Sequence, residues 1–177
     1  MKKMLVVLAI VVTMLATMVV PSMAEEKAPV TIRNGVTFDM NMDQVMATET
    51  GRYEIDTEHT RGGVTFTELE YENTTENGVR ADVKYLFVGN ELAAVRVDYD
   101  DNVISYDRVK ADLTARYGDS AAVDKALLGK GIYAVDDDGK LEYQAEAFVF
   151  ENLMIILEQD DDDLDVTYVN LNASYLK

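Results

Sequence analysis

The chain has 177 residues, with 33 acidic against 16 basic side chains, a formal net charge of −17, and neither cysteine nor tryptophan. This length suits one domain or two small modules. The acidic excess argues against nucleic acid and anionic membrane surfaces as partners, and the lack of cysteine excludes disulfides, thiolate nucleophiles and thiolate metal sites.

Residues 1–24 have the pattern of a secretory signal peptide. A basic start and an apolar run over residues 4–20 precede Ser22 and Ala24, the small residues at the two positions that a signal peptidase reads. We expect cleavage after Ala24, a short tether over residues 25–30, and a mature protein that is secreted or held in the cell envelope. A retained membrane anchor is the alternative that the length of the apolar run allows.

Residues 31–118 are predicted to form a first α+β half. Asn41 is a suitable N-cap for a helix over residues 42–49. A second helix follows Ser105, because apolar residues recur there at helical spacing until Gly118. Between the helices, alternating apolar and polar residues predict four strands. These strands cover residues 53–56, 64–72, 79–88 and 91–99.

Residues 119–177 are predicted to form a second, β-rich half of the same compact unit. A short helical piece over residues 121–128 precedes four further strands. These strands cover residues 132–135, 141–150, 153–158 and 166–171. Such short connections require antiparallel neighbours. The predicted fold class is therefore α+β, with helices packed on antiparallel β-sheet and the order of one helix and four strands repeated twice.

The third and fourth strands allow a prediction of hairpin register. A two-residue turn would set the apolar residues of one strand against the polar residues of the other. A three-residue loop over residues 88–90 instead pairs Val83 with Val95 and Asp82 with Arg96, so that each charge meets its opposite. We therefore predict this loop, with its last residue in the left-handed conformation.

The residues that could carry chemistry do not form a recognisable constellation. His59 is the only imidazole, without a nucleophile elbow or a second histidine nearby, and we interpret it as a surface-loop residue. The aspartates of residues 136–138 fail the EF-hand pattern, because Ala134 and Ala145 stand at its first and last ligand positions. We interpret these aspartates and those of residues 160–165 as hairpin turns. We predict no catalytic, cofactor-binding or metal-binding residue.

Aromatic residues are frequent in the predicted strands. They are Tyr71, Tyr85, Phe87, Tyr99, Tyr143, Phe148, Phe150 and Tyr168. Most are expected in the core, because the inward face of each strand needs bulky side chains. Any that lie on an exposed sheet face are candidate anchors for a protein or sugar partner.

Two motifs carry a resemblance to a known fold. Residues 33–45 are similar to the helix entry of a group of exported bacterial proteins, although Phe38 stands where the group has tryptophan. Residues 106–118 match its tyrosine-led helix, which ends in tyrosine and glycine. Over residues 31–172 the chain thus resembles the β-lactamase-inhibitor-protein (BLIP-like) fold, also seen in small outer-membrane assembly lipoproteins. The resemblance implies helices on an antiparallel sheet and protein binding at the cell envelope, but it transfers no binding residue.

These observations together predict an exported, non-catalytic binding module with a protein partner and no cofactor. One alternative is an envelope hydrolase that uses carboxylates, because acidic residues are abundant. Another is a calcium-dependent surface module that uses residues 136–138 or 160–165.

Overall fold

The computed structural model describes residues 30–61, 63–100, 103–121, 144–160 and 163–176. The predicted signal peptide, most of the tether, the helical piece after Ala121 and the strand at residues 132–135 lie outside these ranges. In chain order the described elements are β1 (Thr31–Arg33), β2 (Val36–Thr37), α1 (Met42–Thr48), β3 (Glu54–Arg61), β4 (Val64–Glu76), β5 (Val79–Val88), β6 (Glu91–Tyr99), α2 (Tyr106–Tyr117), β7 (Gln144–Phe150), β8 (Leu153–Asp160), β9 (Asp163–Asn170) and a 3-10 turn at Ser174–Leu176.

Seven strands form one sheet in the order β3-β4-β5-β6-β9-β8-β7, and every neighbouring pair is antiparallel. Strands β3 to β6 follow one another as a meander. After α2 the chain returns through β7 and β8, so that β9 pairs with β6 in the middle of the sheet. Strands from both predicted halves therefore share one continuous sheet, while β1 and β2 form a separate hairpin.

The predicted α+β class, with a helix and four strands repeated twice, is wrong, because the fold is predominantly antiparallel β-sheet. The described helices are short, at 7 and 12 residues. Strand pairing also extends beyond the alternating pattern, since β3 continues to Arg61 and β4 to Glu76. Backbone hydrogen bonds to a neighbouring strand stabilise each of these polar extensions. The alternation of apolar and polar side chains along the sequence does not reveal such pairing.

Both helices begin at their predicted N-caps and α2 ends at its predicted glycine, whereas α1 ends at Thr48, one residue before the predicted end. The Asn41 side chain accepts from the Gln44 N–H at 3.0 Å, and the Gln44 side chain accepts from the Asn41 N–H at 2.9 Å, which completes a capping box. Ser105 caps α2, and Gly118 follows its last turn with φ +90°. Both boundaries depend on hydrogen bonds between near neighbours in the chain, so the local sequence predicts them.

One face of the sheet, here called the helix face, carries the larger core. Its fully buried side chains include Tyr71, Tyr85, Phe87, Phe148 and Ile155. The same cluster contains Val45 of α1 together with Tyr106, Val109 and Leu113 of α2. Burying each large apolar side chain contributes about 2 kcal/mol. The apolar stripe of each helix therefore holds it against this face.

The other face of the sheet, here called the opposite face, has an apolar end. Its buried members are Phe66, Leu86, Ala93, Ala94, Ala147, Met154, Ile156 and Val169. Tyr175 of the 3-10 turn packs edge-on against Phe66, with ring centroids 5.9 Å apart. Polar side chains occupy the neighbouring positions of the strands beyond this end, so the opposite face divides into an apolar and a charged region.

The turn between β5 and β6 differs from the predicted three-residue loop. Val88 pairs with Glu91, so Gly89 and Asn90 form a two-residue turn. Gly89, with φ +61°, takes the left-handed conformation that was predicted for Asn90. Leu86 pairs with Ala94 and Phe87 with Leu92, which leaves Ala93 as an extra residue. This β-bulge returns the apolar residues to one face, so a two-residue turn is compatible with the sequence after all.

The same bulge changes the cross-strand partners. Val83 pairs with Val97, and Asp82 pairs with Asp98, so the predicted partners Val95 and Arg96 are both wrong by two residues. A shift of two preserves which residues share a face, because side chains alternate with period two. It changes the charges completely, since the predicted pairing of opposite charges becomes a pairing of two carboxylates.

Candidate functional site

Four carboxylates form a line across the opposite face. Asp82 of β5, Asp98 of β6, Asp165 of β9 and Glu158 of β8 occupy directly opposed positions on adjacent strands. Directly opposed residues of antiparallel strands have Cβ atoms about 5 Å apart. The four side chains, here called the carboxylate row, therefore place negative charge across four strands at one level of the sheet.

Two basic residues lie at the next level of the same face. Lys84 opposes Arg96, and the Lys84 Nζ is 3.2 Å from Glu70 Oε1. The Arg96 guanidinium donates to Asp165 Oδ2. Lys84 therefore pairs with a carboxylate outside the row, whereas Arg96 pairs with a member of it.

Four polar atoms at the centre of this face are buried without a hydrogen-bond partner among the described residues. They are Arg96 Nε, Thr167 Oγ1, Asp165 Oδ1 and Glu158 Oε2. Glu158, Asp165 and Thr167 are only 8%, 7% and 1% exposed. Because Thr167 opposes Arg96 and Asp165 opposes Glu158, the four atoms belong to neighbouring positions on three strands. An unpaired buried polar atom costs about 1–3 kcal/mol, so this cluster is a place where a polar partner would stabilise the protein.

The acid–base properties of the row follow from this environment. Burial raises the pKa of Glu158 from 4.5 to about 7, with Arg96 lowering it and Asp165 raising it. Burial likewise raises the pKa of Asp98 from 3.8 to about 6, and Asp165 adds to the increase. Both carboxyl groups titrate close to neutral pH. A cation that approached the row would favour their charged forms.

The arrangement favours cationic groups over metal ions. Within the described ranges, no group of three or more Asp, Glu, His or Cys side chains is arranged to hold a metal ion. Calcium needs six to eight oxygen atoms that converge on one point. A row of acceptors spread over four strands instead suits ammonium or guanidinium groups, which form separate charge-assisted hydrogen bonds.

A second buried charged cluster, on the helix face, contains ion pairs within the protein, although Arg33 Nε makes no hydrogen bond. Arg33 Nε lies 3.1 Å from Glu49 Oε1 and 3.5 Å from Glu76 Oε2. Asn34 donates to Glu49 Oε2 at 3.1 Å, and the Tyr85 hydroxyl donates to Glu49 Oε1. These contacts connect the β1–β2 hairpin and the end of α1 to the sheet. Both oxygens of Glu49 are engaged, so we interpret this cluster as structural.

The residues that the sequence analysis considered for chemistry lie away from the carboxylate row. His59 lies in edge strand β3, opposed to Phe66, and not in the predicted surface loop, because β3 continues to Arg61. Strands β4 and β5 separate it from β6, which carries Asp98. Asp160 opposes Asp163 in the predicted hairpin between β8 and β9, but the prediction that Asp165 belongs to the turn is wrong, because Asp165 lies in β9. Residues 136–138 lie outside the described ranges.

Most strand aromatics belong to the core, as predicted. Tyr71, Tyr85, Phe87, Tyr99, Phe148 and Tyr168 are all buried, and Tyr143 lies outside the described ranges. Phe150 is 38% exposed and packs against Tyr117 with ring centroids 5.8 Å apart. Among these described residues, Phe150 alone is exposed, so strand aromatics do not provide an extended binding surface. The charged region of the opposite face is the better candidate.

Sequence reasoning missed the carboxylate row. The sequence pattern predicts Asp82 and Asp98 among the polar residues of their strands, Glu158 at the end of a strand and Asp165 in a turn, and such positions are usually solvated. The alignment of Asp98 with Asp165 requires β6 to pair with β9, although the two residues are far apart in the chain. One part of the row depends on strands that are neighbours in the chain, because the observed register of β5 and β6 sets Asp82 beside Asp98.

No protein-family model, curated protein or solved structure matches the chain. The resemblance to the BLIP-like fold therefore stays a prediction. Among the described residues, no helix combines the length and apolar character needed to cross a membrane.

Proposed function

We propose that this chain is an exported, non-catalytic binding module that holds a positively charged segment of a partner protein on its carboxylate row. The observation that carries the proposal is the row itself, four directly opposed carboxylates with unpaired buried oxygens on Asp165 and Glu158. The net charge of −17 supports it, because a strongly acidic protein attracts a basic partner over long distances. The BLIP-like resemblance would also imply protein binding at the cell envelope.

The arrangement of the row favours binding over hydrolysis. Carboxylate-based hydrolases place an acid and a second carboxylate on either side of the bond that breaks. Asp98 and Glu158, whose pKa values lie near neutrality, have Asp165 between them on β9. Asp165 is engaged by Arg96. A third carboxylate between the two adds to the attraction of a cation.

Titration of the purified protein with a fluorescent peptide of alternating lysine and serine tests the proposal. Fluorescence anisotropy at pH 8 should report binding that weakens as salt is added, because salt screens the long-range attraction between the basic peptide and the acidic protein. The double variant Asp98→Asn and Glu158→Gln should weaken binding at least tenfold.

The matched control is the double variant Asp107→Asn and Asp112→Asn. Both aspartates are exposed on α2, which packs on the helix face, and their replacement changes the net charge by the same amount. The control should bind nearly as well as the unaltered protein. Equal weakening of both double variants would mean that the peptide responds only to overall charge, and absence of binding would contradict the proposal directly.

A further inference from the structure

We infer that the partner is anchored by the side chain of a lysine, whose ammonium group binds between Glu158, Asp165 and Thr167. The inference rests on the proposed function and deepens it, since it names the basic residue that is recognised and the part of the row that recognises it. Each of these three residues has a buried oxygen atom without a hydrogen-bond partner.

The three residues offer as many acceptors as an ammonium group has donors. Glu158 and Asp165 are directly opposed, and Thr167 lies two residues beyond Asp165 on the same face. Asp165 Oδ2 accepts a hydrogen bond from Arg96, whereas Asp165 Oδ1 has no partner. Glu158 Oε2 and Thr167 Oγ1 are also buried and unpaired. A lysine ammonium carries three N–H donors and no acceptor. One such group can therefore satisfy all three oxygen atoms.

Charge balance points to a cation as the missing partner. Like charges at directly opposed positions of a sheet destabilise it, and Asp98, Asp165 and Glu158 follow one another on three adjacent strands. Arg96 contacts Asp165, and Lys84 is engaged by Glu70. When ionised, these three carboxylates carry two more charges than the Arg96 guanidinium balances, and Lys84, which also acts on Asp98, is shared with Glu70. A bound ammonium removes one of the two.

The burial of the site favours lysine over arginine. Glu158 and Asp165 are 8% and 7% exposed, and Thr167 is 1% exposed, so their surroundings leave little space for a bulky ligand group. Lysine carries a compact point charge on a slim four-carbon chain, whereas the planar guanidinium of arginine needs a wide, coplanar pair of acceptors. One oxygen of Asp165 already accepts a hydrogen bond from Arg96, so Asp165 cannot accept from a ligand guanidinium with both of its oxygens.

Three peptides that differ at one position test the inference. Each has neutral flanking residues and a central lysine, acetyl-lysine or arginine, and each is titrated into the purified protein by calorimetry at pH 7. The lysine peptide should bind most tightly, acetylation should weaken binding at least tenfold, and arginine should weaken it several-fold. Titration in buffers of different ionisation enthalpy should show proton release on binding of the lysine peptide, because a nearby cation favours the ionised form of Glu158.

Two protein variants locate the anchor. Thr167→Val keeps the shape of the side chain and removes one acceptor, so it should weaken the lysine peptide several-fold and leave the arginine peptide unchanged. Thr65→Val is the matched control on β4, because Thr65 is exposed and its hydroxyl pairs with Thr60. Glu158→Gln should abolish the proton release. Circular dichroism of each variant should match that of the unaltered protein.

The outcomes separate this inference from the proposed function. Equal affinity for the lysine and arginine peptides would overturn the lysine anchor and leave a general site for basic segments. Unchanged binding of the lysine peptide by Thr167→Val and Glu158→Gln would also overturn it, since the unpaired atoms would then be satisfied by water. If none of these peptides and no polybasic peptide binds, the inference and the proposed function both fail.

Discussion

Replacing Glu158 by glutamine is expected to stabilise the protein at pH 8 and to have a much smaller effect at pH 5. Glutamine has nearly the same shape as glutamate but cannot ionise. Glu158 is only 8% exposed and directly opposes Asp165. Its ionisation therefore places a charge in a poorly solvated position beside a like charge, which costs folding free energy.

The magnitude follows from the change in pKa on folding. Burial raises the pKa of Glu158 from 4.5 to about 7. Because the folded state then binds the proton more tightly than the unfolded state, this contribution to stability is complete below pH 4.5 and is lost as the pH rises through 7. One pKa unit corresponds to about 1.4 kcal/mol, so ionisation costs about 3 kcal/mol by pH 8, and most of that cost develops above pH 5.

Urea unfolding at several pH values between 5 and 8, followed by tyrosine fluorescence, measures this effect. The free energy of unfolding of Glu158→Gln minus that of the unaltered protein should grow by about 2 to 3 kcal/mol across the range. Asp112→Asn, an exposed substitution on α2, should give a small and constant difference. A difference for Glu158→Gln that does not change with pH would refute the reasoning. It would mean that the Glu158 carboxyl titrates alike in the folded and unfolded protein.

Substitutions at three further sites, two of them with a comparison variant, test the packing and one turn. Tyr85→Phe removes a buried hydrogen bond to Glu49 and should cost about 2 kcal/mol in urea unfolding, whereas no loss would show that this bond is unimportant. Ile155→Ala, at a fully buried position, should cost about 3 kcal/mol. Val149→Ala, at a position 59% exposed, should cost less than about 0.5 kcal/mol. Similar costs for the two variants would contradict the burial of the helix face. Gly89→Ala should cost about 1 kcal/mol, because Gly89 has a positive φ of +61°. Gly89→Asn should cost less, since asparagine tolerates this conformation. The reverse order of stability in thermal unfolding would contradict the turn geometry.

The elements with local signals were predicted well. Strands β5 and β6 have the bounds that the alternating pattern indicates, and α2 begins after Ser105 and ends before Gly118. The hairpin register was predicted incorrectly because a β-bulge at Ala93 changes the parity of β6 without altering its composition. The His59 segment was assigned to a loop because its polar residues lack alternation, although pairing with β4 makes it a strand.

The candidate site could not be predicted from the sequence. The sequence by itself determined the export signal pattern, the acidic charge, the helix caps and most strand segments, because capping and side-chain alternation are interactions among near neighbours in the chain. Only the tertiary structure decided that Asp98, Asp165 and Glu158 stand side by side, since this depends on β9 pairing between β6 and β8. Burial then decided their protonation, because the loss of solvent around a carboxyl group is a property of the assembled sheet rather than of any segment.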